Sequence, residues 1–190
     1  MKVLGILPFA RQLLINAVTI GDLVIDGTAG NGHDTLFLAE LVGESGHVYS
    51  FDIQETAINK TKERLIDHQA YSQVSLFQKG HEEAINVIPE HEHGNIAAAI
   101  FNLGYLPGGD KSIVTKPETT VKALTDILSL LKKGGIIVLV IYHGHEEGRK
   151  EKDQLLEYVS NIDQLKAHVL TYQFLNQKNN PPFIIAVEKR

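Results

Sequence analysis

Apolar positions along the chain recur with two periods, and their alternation predicts the architecture. Leu23-Val24-Ile25, His47 to Phe51 and Val74 to Phe77 have the length and the branched or aromatic character of strands. Asn95 to Phe101 and Ile136 to Ile141 are almost entirely apolar, as strands covered on both faces should be. Between these runs the spacing turns helical: near Asp34 to Val42, Gln54 to His68, a short piece through Ala84, Ile85 and Ile88 stopped by Pro89, and Pro117 to Leu131. In the second of these, Ala57, Ile58, Thr61, Leu65 and Ile66 form the apolar stripe. Phe9 to Ile20 predicts a leading amphipathic helix through Leu13, Leu14, Ala17 and Val18, ended by Gly21-Asp22. After a Gly134-Gly135 turn and the fifth strand come a helix from about Glu151 to Ser160 and two strand-like runs, Ala167 to Phe174 and Phe183 to Val187. With only a polar loop between them, those last two should be antiparallel. The pattern predicts one α/β domain over residues 1–190, with a seven-stranded, mostly parallel sheet, a C-terminal antiparallel hairpin and helices on both faces.

The most informative punctuation is Asp26-Gly27-Thr28-Ala29-Gly30-Asn31-Gly32-His33-Asp34-Thr35, between the first strand and its helix. Glycine tolerates positive φ there and lets a ligand lie against bare backbone. The second strand ends in Asp52, an acid placed to accept hydrogen bonds from a ribose. The spacing is Asp-Gly-x-x-Gly-x-Gly, not the Gly-x-Gly-x-x-Gly of the dinucleotide fold. With Asp52 it resembles motifs I and II of class I S-adenosylmethionine-dependent methyltransferases, a Rossmann-like group. That resemblance implies S-adenosyl-L-methionine as cofactor, held by Asp26, Gly27, Thr28, Gly30, Asn31, Gly32, Asp34, Thr35, Asp52, Gln54 and Asn102. It also implies His81, after the third strand, beside the adenine. The leading segment, residues 1–22, would then pack near the cofactor, either closing over it or resting on the sheet edge.

Composition excludes more than it assigns. The 190 residues, 43% hydrophobic and 22% charged, suit one soluble domain with a full core. There is no cysteine, which removes disulfides, thiolate metal sites and cysteine nucleophiles. No run approaches the roughly 20 apolar residues that cross a bilayer, and the first residues lack the character of a secretory signal, so a cytoplasmic location is expected. The net charge of −5 argues against broad, nonspecific nucleic-acid binding but permits a local basic patch.

Two further stretches narrow the resemblance. Asn102-Leu103-Gly104-Tyr105-Leu106-Pro107-Gly108-Gly109-Asp110-Lys111 follows the fourth strand, and Tyr142-His143-Gly144-His145 follows the fifth. With the glycine turn they are similar to the small bacterial YtqB/MnmM family of tRNA methyltransferases. Membership implies methyl transfer to the aminomethyl group of 5-aminomethyl-2-thiouridine at the tRNA wobble position, giving 5-methylaminomethyl-2-thiouridine. An alkylammonium has no lone pair for such a transfer, so the site must favour the neutral amine through desolvation and hydrogen-bond acceptors. Asn102, Tyr142 and His143 are the candidates for that work, with His143 as proton acceptor, and Tyr105 is placed to stack on the base.

The fourth-strand sequence departs from the Asn/Asp-Pro-Pro-aromatic pattern of enzymes acting on planar base amines, which leaves an aliphatic amine as acceptor. Asn179-Asn180-Pro181-Pro182-Phe183 contains that pattern only in the terminal hairpin and reads as turn chemistry. His143, His145 and Glu146 lack a full metal-ligand set at a recognised spacing, as do His91 and His93. Lys111, Lys116 and Lys122, with Arg149, Lys150 and Lys152, are candidate contacts to an anticodon stem-loop, or else solvated helix faces balanced by Glu146, Glu147 and Glu151. Arg11 has the same two readings. A homodimer would enlarge the basic surface. Two other functions stay open: methylation of a different RNA site or a small-molecule amine, and a cofactor-binding module without turnover.

Overall fold

The computed structural model describes residues 2–104, 114–144 and 146–190. Helix α1 (Ile6–Ala17) leads into β1 (Leu23–Asp26), α2 (His33–Val42) and β2 (His47–Phe51). Then follow α3 (Glu55–Asp67), β3 (Val74–Phe77), the single turn α4 (Ala84–Val87) and β4 (Ile96–Leu103). The second half comprises α5 (Pro117–Leu130), β5 (Leu131–Ile141), α6 (Glu146–Ser160), β6 (Ala167–Tyr172) and β7 (Phe183–Lys189). The seven strands form one sheet in the order β3-β2-β1-β4-β5-β7-β6. Strands β1 to β5 run parallel, and β7 is antiparallel to both β5 and β6, as the hairpin pattern predicted.

Alternation along the central strands divides the core into two layers. Ile25, Phe51, Phe101, Leu139 and Ile185 pack with Ala84, Leu124, Ile127 and Leu155 of α4, α5 and α6. Val24, Val48, Ile100, Val138 and Ile184 face Leu14, Leu38 and Leu65 of α1, α2 and α3. Ala97 and Ala98 are neighbours that share one layer, because the β1–β4 and β4–β5 registers both shift just before Ala98. Each fully buried leucine in such a layer stabilises the fold by about 1.5–3 kcal/mol.

Several boundaries differ from the sequence pattern for local reasons. Helix α1 starts at Ile6 and stops at Ala17, three residues earlier than expected at each end. Asp22 accepts hydrogen bonds from the Thr19 backbone and hydroxyl, which turns the chain and leaves Ile20 78% exposed. In α3 only Ala57, Thr61 and Leu65 are buried, and Ile66 projects into solvent. Helix α6 begins at Glu146 rather than near Glu151, and its Glu151 is buried, not a solvated balancing charge. Strand β5 extends back to Leu131, with the Gly134-Gly135 irregularity inside its span.

This order places the site. The sheet progresses outward from β1 through β2 and β3 on one side and from β4 through β5 on the other. Ligands of open α/β sheets bind beyond the carboxyl ends of the strands at such a reversal, here between Asp26 on β1 and Asn102 on β4.

Candidate active site

A cavity of about 280 Å³ opens at that reversal, just under the roughly 300–1,000 Å³ typical of ligand sites. Gly27, Thr28 and Gly30 contribute from the first turn, Asp52 and Gln54 from the end of β2, His81 from beyond β3, and Asn102 from β4 with Gly104 just after it. Four strand ends and turns therefore converge, and this convergence comes from the sheet topology.

The glycines do different jobs. A Cβ on Gly27 would lie 2.2 Å from the Phe101 ring, so this position is demanded by packing between β1 and β4. Gly30 and Gly32 have φ of 56° and 77°, and a Cβ on Gly32 would come within 2.8 Å of Thr61 Cα in α3. The turn is then held by acids. Asp52 accepts the Gly30 N–H and the Gln54 N–H, both at 2.9 Å. Asp26 accepts the Thr28 N–H at 3.0 Å and the Thr35 hydroxyl at 2.6 Å. Asp26 and Thr35 are wholly buried behind the turn, with Thr35 also 3.0 Å from Ser50 Oγ. Burial, followed by the charge of Asp34, pushes the Asp26 carboxyl up to about 7.

His81 lines the cavity with only 7% exposure. Its Nδ1 must carry a hydrogen, since it donates to the Gly27 carbonyl at 3.1 Å. Burial depresses its pKa, which keeps the ring neutral near pH 7. Across the cavity, the Asn102 N–H donates to Thr28 Oγ1 at 2.7 Å, and its Nδ2 donates to Asp34 at 2.8 Å. Because the Asn102 amide nitrogen is committed to a carboxylate, its Oδ1 remains as an acceptor at the cavity. The other oxygen of Asp34 pairs with Arg11 at 3.3 Å, and the Arg11 guanidinium lies 4.9 Å above the Phe37 ring. The leading helix thus reaches the site through one ion pair, and Arg11 is not a free cation.

Other sequence candidates fall at varying distances from the cavity. Asn31, Gly32, Asp34 and Thr35 support its walls without lining it, and Asn31 offers its carbonyl to Arg64 at 2.7 Å. Tyr142 continues the β4–β5 pairing through its N–H to the Leu103 carbonyl at 3.0 Å, with its Cβ against Gly104. Burial and then Asp34 raise its pKa, so it is a neutral phenol. His143 donates Nε2–H to the Pro181 carbonyl at 3.0 Å and sits edge-on to Phe183, which leaves Nδ1 with the lone pair. Asn179 and Asn180, at φ of 66° and 51°, make the turn that delivers Pro181. Tyr105, Lys111 and His145 lie outside the described residues. Of the basic candidates, Lys116 is exposed on the cavity wall, while Lys122, Lys150 and Lys152 pair with Asp126, Glu147 and Asp153. Among lining residues, the sequence pattern missed Ile53, Lys79, Gly80, Glu82, Val114, Thr115 and Thr119, none of which carries a motif.

Strand order, the acid-glycine turn and the second-strand acid together define a class I methyltransferase fold of the S-adenosylmethionine-dependent kind. Within that class the chain belongs to the family described as "Putative rRNA methylase", whose model matches residues 48–188. A Clostridium thermocellum protein of the same description superposes with a TM-score of 0.96 at 43% identity, covering 100% of both chains. A methyltransferase structure from Streptococcus mutans, in complex with SAH, gives 0.89 at 39% identity over 99% of both. The chain is also 38% identical, over 89% of its length, to a chloroplastic tRNA (mnm(5)s(2)U34)-methyltransferase of Arabidopsis thaliana. It spans 64% of that relative's length. No helix among the described residues is long and apolar enough to cross a membrane.

Proposed function

We propose that the chain transfers a methyl group from S-adenosylmethionine to the aminomethyl nitrogen of 5-aminomethyl-2-thiouridine at the tRNA wobble position. The observation that carries this reading is the Asp34–Asn102 pair, which commits an amide oxygen as an acceptor at the cavity. The Arabidopsis relative, named for the wobble uridine, and the Streptococcus mutans relative, solved with SAH, support the acceptor and the donor respectively.

The residues present fit the cofactor. Asp52 has further lone pairs for ribose hydroxyls, the Gly27-to-Gly30 backbone offers polar atoms to an amino-acid moiety, and His81 presents a neutral ring. Asp52 adds negative charge on that side, which suits a cationic ligand. When bound, the cofactor supplies an electrophilic methyl on a sulfonium. The chain's own contribution is to hold the acceptor nitrogen neutral and aligned. Asn102 Oδ1 accepts an amine N–H, which points the nitrogen lone pair away from itself. Tyr142 brings a neutral phenol to the same strand edge. His143, with Nε2–H tied to Pro181, offers Nδ1 to the departing proton. Exposed Lys79, Lys116 and Arg149 supply phosphate contacts for an anticodon stem-loop.

The test uses the purified protein, S-adenosylmethionine and tRNA from a strain lacking the final methylation. Mass spectrometry of the nucleosides should show 5-methylaminomethyl-2-thiouridine. Methylation of another RNA position, or of free amines without RNA, would replace this reading with the corresponding one.

A further inference from the structure

We propose that Glu151 is a positioning residue that sets the two walls of the cavity against each other. It is one of the few charged side chains inside the molecule, 2% exposed on α6, and does not itself line the cavity. Its helical stripe continues through buried Leu155 and Val159, so an apolar residue would suit simple packing better than a carboxylate taken out of water. Instead, each carboxylate oxygen accepts a short hydrogen bond from a different threonine. Oε2 takes the Thr115 hydroxyl at 2.6 Å and Oε1 the Thr120 hydroxyl at 2.7 Å.

The two arms lead to different parts of the cavity lining. Thr115 lines the cavity and is locked to Gly104 in both directions: its N–H donates to the Gly104 carbonyl, and its Oγ1 accepts the Gly104 N–H, each at 3.1 Å. Gly104 is two residues beyond Asn102 on the acceptor side. Glu151 takes the one Thr120 hydroxyl hydrogen, so Thr120 Oγ1 meets His81 Nε2 at 3.5 Å as a packing contact rather than a hydrogen bond, and the same ring donates Nδ1–H to the Gly27 carbonyl. The Thr120 hydrogen also has the Lys116 carbonyl at 2.9 Å, but the charged and nearer Glu151 oxygen is the stronger acceptor. One carboxylate from a third element therefore references Gly104 and His81 to a common point. This inference rests on the methyl-transfer reading, in which a misplacement of about 1 Å costs on the order of a hundredfold in rate.

The experiment compares Thr115→Val, Thr120→Val, Glu151→Ala and Glu151→Gln in the full chain. Three quantities are read: S-adenosylmethionine affinity by calorimetry, single-turnover transfer to aminomethyl-bearing tRNA, and the thermal midpoint. Thr115→Val should slow transfer about tenfold, the effect of losing one hydrogen bond to a charged group, and leave cofactor affinity within about twofold. Thr120→Val should weaken cofactor binding by about threefold or more, with a smaller effect on transfer at saturation. Glu151→Ala should do both, and adding Thr115→Val to it should slow transfer no further. Glu151→Gln, which keeps one acceptor oxygen, should recover part of each loss. Wild-type transfer and affinity in Glu151→Ala, or full additivity with Thr115→Val, would overturn the proposal. If Glu151→Ala does not fold, the two valine variants decide, and identical effects from both would refute the separation of arms. If the wild-type protein methylates no tRNA, the functional reading fails by itself. The calorimetric arm then still judges Glu151 through Thr120→Val, and unchanged affinity there would refute it.

Discussion

Replacing Asp34 with alanine isolates the contribution of amide orientation to transfer. Asp34 Oδ2 accepts from Asn102 Nδ2 at 2.8 Å, and that bond determines which end of the amide meets the acceptor. Its other contact, with Arg11 at 3.3 Å, involves a side chain 44% exposed and contributes little to stability. If Asp34 only selected between two equivalent amide orientations, its loss would halve the productive fraction. A hydrogen bond to a charged group has a net value of about 1.5–3 kcal/mol, so loss of the whole positioning effect corresponds to roughly ten- to a hundredfold. The expected result is a single-turnover rate reduced at least about tenfold, with cofactor affinity changed much less. Asn102→Ala should be as slow, and the double variant no slower than the worse single one, because both changes remove the same oriented oxygen. The assay is rapid-quench methyl transfer at saturating cofactor, with calorimetry in parallel. A rate within about twofold of wild type, or additive losses in the double variant, would refute the reasoning.

Asp52→Ala should weaken S-adenosylmethionine binding by about tenfold or more while transfer at saturation changes little, since this carboxylate also holds the Gly30 and Gln54 N–H groups. His143→Ala should show the reverse split, with slow transfer and near-normal cofactor affinity. Gly32→Ala and Gly134→Ala separate strain from collision: φ is 77° and 76°, but only the Gly32 Cβ would strike backbone, Thr61 Cα at 2.8 Å. Urea unfolding should show a loss of about 1–2 kcal/mol at Gly134 and about 2–5 kcal/mol at Gly32, from strain alone and from strain plus overpacking. Asp26 has its carboxyl raised to about 7 in the folded state, so the folded chain binds its proton more tightly than the unfolded chain does. Its contribution to stability is full below the unfolded value of 3.8 and is lost as pH rises through about 7. Urea midpoints of wild type should therefore fall between pH 5 and 8 relative to those of Asp26→Asn, and parallel curves would count against a buried, proton-linked Asp26.

Wherever one short interval of chain supplies both a pattern and its consequence, the sequence is a sufficient guide. The apolar runs ending in Asp26, Phe51 and Phe101 specify strands because residues covered on both faces must be apolar. The acid-glycine turn is legible because Gly30 and Gly32 need positive φ. The terminal hairpin follows from a connection with no crossover helix. Strand order, and with it the place of the cavity, follows from that alternation only once β1 is known to lie beside β4.

What tertiary structure alone decided was which side chains meet. Gly27 looks like a ligand-contacting glycine but is required by Phe101, 74 positions away. Asp34, beside the turn in sequence, spends its carboxylate on Asn102 and Arg11. In sequence Glu151 reads as one more solvated acid, and only the folded structure shows it buried on one stripe with Leu155 and Val159. The physical reason is range: periodicity and turn chemistry act over a few residues, whereas a hydrogen bond or a van der Waals collision between distant segments exists only after the sheet has brought them together.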